Sequence, residues 1–230
     1  DRVFFTSCGT EADNWAVYGT AKRLGKRGKH IVTTAIEHHA ILNCMKDLEA
    51  QGFEVTYLQP DNLGNISPDS LKAALRKDTI LVSIMMVNNE AGSVMPIAQM
   101  AKLTHRLCPA AIFHTDAVQG FLKIPFQAKT LGADLISVSS HKIHGPKGAG
   151  ALYISPRLKS FPPLIHGGGQ ENNLRSGTEA TPALFGFGAA AAAGAKTFRE
   201  DTARERALLE DLSARLEALP GVQLNGAHEA

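Results

Sequence analysis

The sequence has little charge imbalance, few aromatic residues and almost no cysteine. Of its 230 residues, 24 are Lys or Arg and 22 are Asp or Glu, a formal net charge of +2. That balance offers no basic face for a polyanion, so direct nucleic-acid binding through charge is not expected. The three cysteines, Cys8, Cys44 and Cys108, are widely spaced and make neither a disulfide framework nor a zinc pattern. This usage suits a reducing compartment, and a cytoplasmic location is expected. No stretch approaches the ~20 uninterrupted apolar residues of a membrane span. The most apolar run, Ala183 to Ala195, is built from Ala and Gly with two Phe and reads as a tightly packed internal helix. Internal repeats and low-complexity linkers are also missing.

Hydrophobic residues make up 44% of the chain, enough to bury a sizeable core. Apolar segments alternate in type. His30 to Ile36 is short and β-branched, a buried strand. Ala40 to Ala50 carries Ile41, Leu42, Met45 and Leu48 at helical spacing, and Gly52 ends it. Phe53 to Leu58 alternates as a strand, and Asp61 to Asn65 is turn chemistry. Ser67-Pro68-Asp69 reads as a helix start, with Ser as N-cap and Pro at the first helical position. Strands at Thr79–Val87, Ala111–Thr115, Leu135–Ser139 and Gly148–Ser155 follow, with a helix over Pro96–Leu107. Val3 to Thr6 is a further strand. This rhythm predicts an α/β fold, a mostly parallel sheet with helices on both faces.

The expected organisation is a large domain over residues 1–197 with its N-terminal part missing, then the start of a smaller α+β domain over 198–230. From Lys196 to Glu217, five basic and six acidic residues interleave around Leu208, Leu212 and Leu216, a solvated helix face with no chemistry of its own. The chain opens without an initiator Met or a signal-like region. It stops at Leu224-Asn225-Gly226, just after an expected strand. We read it as an internal piece of a longer protein.

In parallel sheets ligands sit outside the carboxyl ends of the strands, so the residues at each exit matter most. After the first strand, Thr6-Ser7-Cys8-Gly9-Thr10-Glu11 turns into a helix whose N-terminus suits a phosphate. After the second comes Glu37-His38-His39, and after the Thr79–Val87 strand comes Asn88-Asn89-Glu90-Ala91-Gly92. Asp116 closes an apolar strand, where a buried carboxylate needs a cationic or hydrogen-bonding partner. Finally Ser139-Ser140-His141-Lys142 follows a continuous apolar strand, which would place Lys142 near the core. A phosphate seat, a strand-exit carboxylate and a near-buried lysine are what pyridoxal 5′-phosphate (PLP) requires. The competing reading, a metal site of His114, Asp116, His141 and His144, explains neither Lys142 nor the phosphate-type turn.

Six motifs, in this order, carry a resemblance: Thr6 to Asn14, Glu37-His38, Val87 to Glu90, His114 to Gln119, Ser139 to Gly148, and Arg175-Ser176-Gly177-Thr178. Over residues 1 to about 190 the chain resembles the cysteine desulfurases, PLP enzymes of fold type I in the class V aminotransferase group. The resemblance implies conversion of L-cysteine to L-alanine, with sulfur passed to an enzyme cysteine as a persulfide. It also implies supply of that sulfur to an acceptor protein, for iron–sulfur clusters or thiolated cofactors and tRNA. Lys142 then matches the cofactor-binding lysine, His38 the imidazole stacked on the ring, and Asp116 the partner of the ring nitrogen. Asn89 and Gln119 match ring and phenolic-oxygen contacts, and Gly9, Thr10, Ser139 and His141 the phosphate contacts. Thr178 matches a threonine given to the neighbouring subunit's phosphate, which implies a homodimer. The chain has Cys8 and Ser140 where many members have Gly. The family's persulfide cysteine and substrate-carboxylate arginine belong to a C-terminal domain this chain barely enters, and none of its three cysteines matches the former. Selenocysteine lyase or class V aminotransferase chemistry keeps the same cofactor. A truncated, non-catalytic scaffold is the alternative of another class.

Overall fold

A computed structural model describes residues 2–225. One seven-stranded sheet organises them, in the order β1-β7-β6-β5-β4-β2-β3. The strands are β1 (Val3–Thr6), β2 (His30–Thr34), β3 (Glu54–Leu58), β4 (Thr79–Ser83), β5 (Ile112–Asp116), β6 (Leu135–Ser139) and β7 (Gly150–Ile154). β6, β5, β4, β2 and β3 pair in parallel, while β7 runs antiparallel between β6 and β1. All five residues of β2, β4 and β5 are buried, as sheet interiors covered on both faces require.

Six helices accompany the sheet: α1 (Gly9–Leu24), α2 (His39–Ala50), α3 (Pro68–Ala74), α4 (Ile97–Leu107), α5 (Ala128–Leu131) and α6 (Thr181–Glu217). α2 turns Ile41, Cys44, Met45 and Leu48 inward at helical spacing. They join Trp15, Ala16 and Val17 of α1 in the core on one face of the sheet. Leu71, Met100, Ala101 and Leu131 from α3, α4 and α5 fill the core on the other face. Ser67 caps α3, its hydroxyl accepting from the amides of Asp69 and Ser70, with Pro68 in the first turn as the sequence predicted.

Three expectations need correction. The strand predicted over Thr79–Val87 is regular only to Ser83, beyond which the backbone bends toward an Asn88-centred turn. Its amides still reach β5, from Ile84 to His114 and from Met86 to Asp116. The Ala183–Ala195 run is not an internal helix. It belongs to α6, in which only Phe187 is buried and Phe185 is 81% exposed. Small side chains let that helix touch the Ser140–Ile143 turn, but they do not enclose it. No strand forms among described residues near Leu224 and Asn225, and Gly226 to Ala230 lie outside the described residues. α6 runs through residues 197 and 198 without a break.

Candidate active site

The carboxyl ends of β2, β4, β5 and β6 share one edge of the sheet, and α1 presents its N-terminus there. Gly9, the first residue of α1, is buried against that edge: a Cβ on it would lie 2.8 Å from Val118 Cγ2 and 3.3 Å from Ser139 Cβ. Only glycine allows the helix end this close to the exits of β5 and β6. Thr10 follows, exposed, in the first turn. The free amides of this turn and the helix dipole form an anion seat.

Asp116 ends β5 at 6% exposure. Its Oδ1 accepts from the Val118 amide at 2.8 Å, a turn bond that aims the carboxyl along the sheet edge. Burial raises its pKa, and the Val118 amide and the nearby His38 pull it back. His38 is the N-cap of α2: its Nδ1 accepts from the Ala40 amide at 3.1 Å, which leaves Nε2 free to meet a ligand. His38 and His39 are both exposed, with ring planes nearly perpendicular at 84°.

Ser139 ends β6, and its hydroxyl pairs with His141 Nδ1 at 2.8 Å. Burial first, then Lys142 and Lys147, lower the His141 pKa. The strand passes into a single 3-10 turn, Ser140–Ile143, that turns Ser140 and Ile143 inward and His141 and Lys142 outward. The sequence placed Lys142 near the core. The structure corrects this: its side chain is exposed, as is that of Lys147. What distinguishes Lys142 is its position directly at the β6 exit. Gln119 is half-buried and accepts from Lys123 at 2.8 Å, while Asn89 is exposed in its turn. Its neighbour Asn88 does the structural work there, donating to the Ile36 carbonyl and accepting from the amides of Glu90 and Ala91.

Thr178 lines a small cavity of about 110 Å³ with Thr6, Ser7 and Gly148. Its loop is pinned to α1 by Arg175, whose Nε lies 2.7 Å from Glu11 Oε1. The Glu171 carboxylate also accepts from the Phe5 amide at 2.9 Å. Burial would raise the Glu11 pKa, but Arg175 and Ser7 outweigh it and hold the carboxyl below the usual range. A larger cavity of about 920 Å³, between β1, β6, β7 and α6, is lined by Phe5, Phe121, Phe126, Val138 and Phe187 among others and holds no Lys, Asp, Glu or His.

The metal reading fails on geometry. His114 is fully enclosed between the hydroxyls of Ser83 and Ser137, each 2.9 Å from a ring nitrogen, and burial depresses its pKa to about 3. Among the described residues no three His, Cys, Asp or Glu side chains gather as a metal would require. Sequence reasoning passed over Asp13 and gave no role to Glu37, both buried beneath this edge. The signal for Asp13 was present: Gly9, Ala12, Asp13, Ala16 and Val17 share the inward stripe of α1.

The chain belongs to the aminotransferase class-V family, whose model matches residues 1–230. It is similar to the cysteine desulfurase IscS of Methanosarcina thermophila, 45% identical over 98% of this chain and 55% of the relative. The corresponding protein of Dictyoglomus turgidum is 52% identical over 83% of this chain and 48% of its own length. Among solved structures, a NifS-like protein superposes with a TM-score of 0.94 at 38% identity, covering 99% of this chain and 62% of that one. A structure titled SspA in complex with cysteine gives 0.78 at 43% identity, over 83% of this chain and 55% of that one. The chain spans about half the length of the curated relatives it matches. Its fold is that of the fold type I PLP proteins, as the sequence motifs implied. No described helix is long and apolar enough to cross a membrane.

Proposed function

We propose that this chain is the cofactor-binding portion of a PLP-dependent cysteine desulfurase. The observation that carries this reading is the meeting, at one sheet edge, of the α1 N-terminus, the buried Asp116 carboxyl and Lys142. The residues fit the cofactor: Gly9 lets the α1 N-terminus, with its free amides, pack directly against the exits of β5 and β6, and Asp116 holds a single amide bond on a carboxyl otherwise free to pair with a ring nitrogen. The relatives named cysteine desulfurase support the substrate.

When bound, PLP supplies an electron sink for charge developing at the substrate's α-carbon. Lys142 would be the residue that holds it covalently. Asp116 would hold the proton on the ring nitrogen, and His38, whose Nδ1 caps α2, would have Nε2 available to move a proton. The amides at Gly9 and Thr10, with Ser139 and His141, bind the phosphate, while Asn89 and Gln119 orient the ring. In a homodimer Thr178 adds a contact to the neighbouring subunit's phosphate. The overall reaction takes L-cysteine and an enzyme thiol to L-alanine and a persulfide. In this reading residues 198–230 open the smaller domain, and none of Cys8, Cys44 and Cys108 is the acceptor cysteine. The sulfur then passes to an acceptor protein serving iron–sulfur clusters or thiolation, in the cytoplasm.

Borohydride reduction of the PLP-loaded protein, followed by peptide mapping, tests the assignment. Label should fall on Lys142 and vanish in Lys142→Ala. Label retained on Lys147 would refute it.

A further inference from the structure

Beneath the proposed cofactor site, three carboxyl groups share one buried region. Asp13 is 1% exposed, Glu37 5% and Asp116 6%. They come from three elements: the inner stripe of α1, the loop after β2, and the end of β5. The ion pairs of the described residues give Asp13 only His114, at 3.6 Å, and give Glu37 and Asp116 none. Three carboxylates cannot all ionise in such a setting, because each desolvated charge also raises the cost of the next.

Their hydrogen bonds differ. Glu37 Oε1 accepts from the Met85 amide and the Thr34 hydroxyl, each at 2.8 Å, which ties the β2 exit to the segment after β4. Its second oxygen, Oε2, is buried without a hydrogen-bond partner, and Asp13 Oδ1 also accepts none, with His114 Nε2 at 3.6 Å beyond hydrogen-bond reach. An unpartnered oxygen of a carboxylate is far more costly than one of a neutral acid. Asp116 alone has the Val118 amide on its carboxyl and His38 nearby, at the exit of its strand.

We propose that Asp13 and Glu37 are positioning residues held as neutral carboxylic acids, so that the one negative charge of this cluster rests on Asp116, where the ring nitrogen would pair with it. Other titratable groups facing the cluster do not change this assignment. His114 is neutral, and Cys8 adds only a further negative influence on Asp13. His38 acts on Asp116. Burial, offset by the Met85 amide and Thr34 and reinforced by Asp116, moves Glu37 up to about 8. Burial and then Asp116 move Asp13 well above the usual carboxylate range, against the pull of the Ser137 hydroxyl.

The inference rests on the PLP reading for what Asp116 faces, but the charge pattern itself is measurable without PLP. Isotope-edited infrared titration of the wild-type apo protein, with carboxyl-labelled Glu and Asp in separate samples, reads protonated acids directly. One glutamate should remain protonated at neutral pH and titrate near 8, and its band should vanish in Glu37→Gln. One aspartate should also remain protonated, with its band lost in Asp13→Asn. In Glu37→Gln, which replaces one neutral group by another, the Asp116 midpoint should move by less than about 0.3 units and PLP affinity by less than about twofold. A wild-type protein with every carboxyl ionised at neutral pH overturns the proposal, as does an Asp116 midpoint that drops by a unit or more in Glu37→Gln. The wild-type titration decides even if the variants fold poorly. An intact carboxyl pattern in a protein that takes up no PLP would instead reject the cofactor reading.

Discussion

The two edges of the sheet handle buried carboxyl groups in opposite ways. At the amino-end edge, Asp134 is 1% exposed and its two oxygens receive four donors. Arg157 gives Nε at 2.6 Å and Nη2 at 2.7 Å, His105 gives Nε2 at 2.9 Å, and the Phe113 amide gives the fourth at 2.8 Å. Burial pushes this carboxyl up, but Arg157, His105 and Phe113 outweigh it and hold the pKa below the usual value. At the carboxyl-end edge, Asp116 has one amide, and Asp13 and Glu37 keep unpartnered oxygens. A saturated carboxylate is a structural knot joining β5, β6, α4 and the segment after β7. A buried carboxyl left short of donors has capacity for a ligand, and such groups mark functional edges.

Substitutions on the two edges should therefore fail in different currencies. Asp116→Asn should leave the fold intact yet cut desulfuration by the PLP-loaded full-length enzyme by roughly a thousandfold, since a buried charge partner is worth about 3–5 kcal/mol. A steady-state alanine assay checks it, and near-normal turnover would reduce Asp116 to a strand-end carboxylate. Asp134→Ala should spare PLP binding but lower unfolding free energy by about 3 kcal/mol, the low end of the range for a broken buried pair. The low end applies because the Arg157 side chain is 38% exposed and can recover water. This loss also has a pH signature. A depressed carboxyl stabilises the fold above its unfolded pKa of about 3.9 and ceases to as pH falls through its folded value. The gap between wild type and variant in urea unfolding should accordingly narrow on acidification. Smallest of all, Arg215→Ala removes a largely exposed pair with Asp211 on α6 and should change stability by about 0.5 kcal/mol or less. A larger loss there would mean that α6 is covered by something in solution.

The amino-end knot was illegible in the sequence, because its members are scattered between His105 and Arg157 with no spacing to announce them. The strands were legible because β-branched runs such as His30–Thr34 are buried on both faces and need no partner to be recognised. The strand-exit rule then located Asp116 and Lys142. It could not supply the outward direction of Lys142, which depends on how the Ser140–Ile143 turn divides its side chains between inside and outside. Ala183–Ala195 misled because small residues look equally at home in a dense core and along a sparsely covered helix. His114, set aside as a metal ligand on the sequence, shows the opposite case. A histidine between two serine-bearing strands is chemically plausible as a ligand until both ring nitrogens are seen to be engaged.

The position of β7 between β1 and β6 also governs the order of events during folding. Among the described residues β1 has a single strand neighbour, and Val3 pairs with Tyr153 across about 150 residues of chain. Parallel pairs such as β2 with β3 close over loops of roughly 25 residues, so their entropic barrier is met far sooner. On a ribosome adding about 5–20 residues per second, β1 waits on the order of ten seconds for its partner to exist. The segment that carries Gly9 and Thr10 is thus translated before its strand partner and fastened late, leaving the β1 backbone open to chaperones, or to the edges of other chains, throughout that interval.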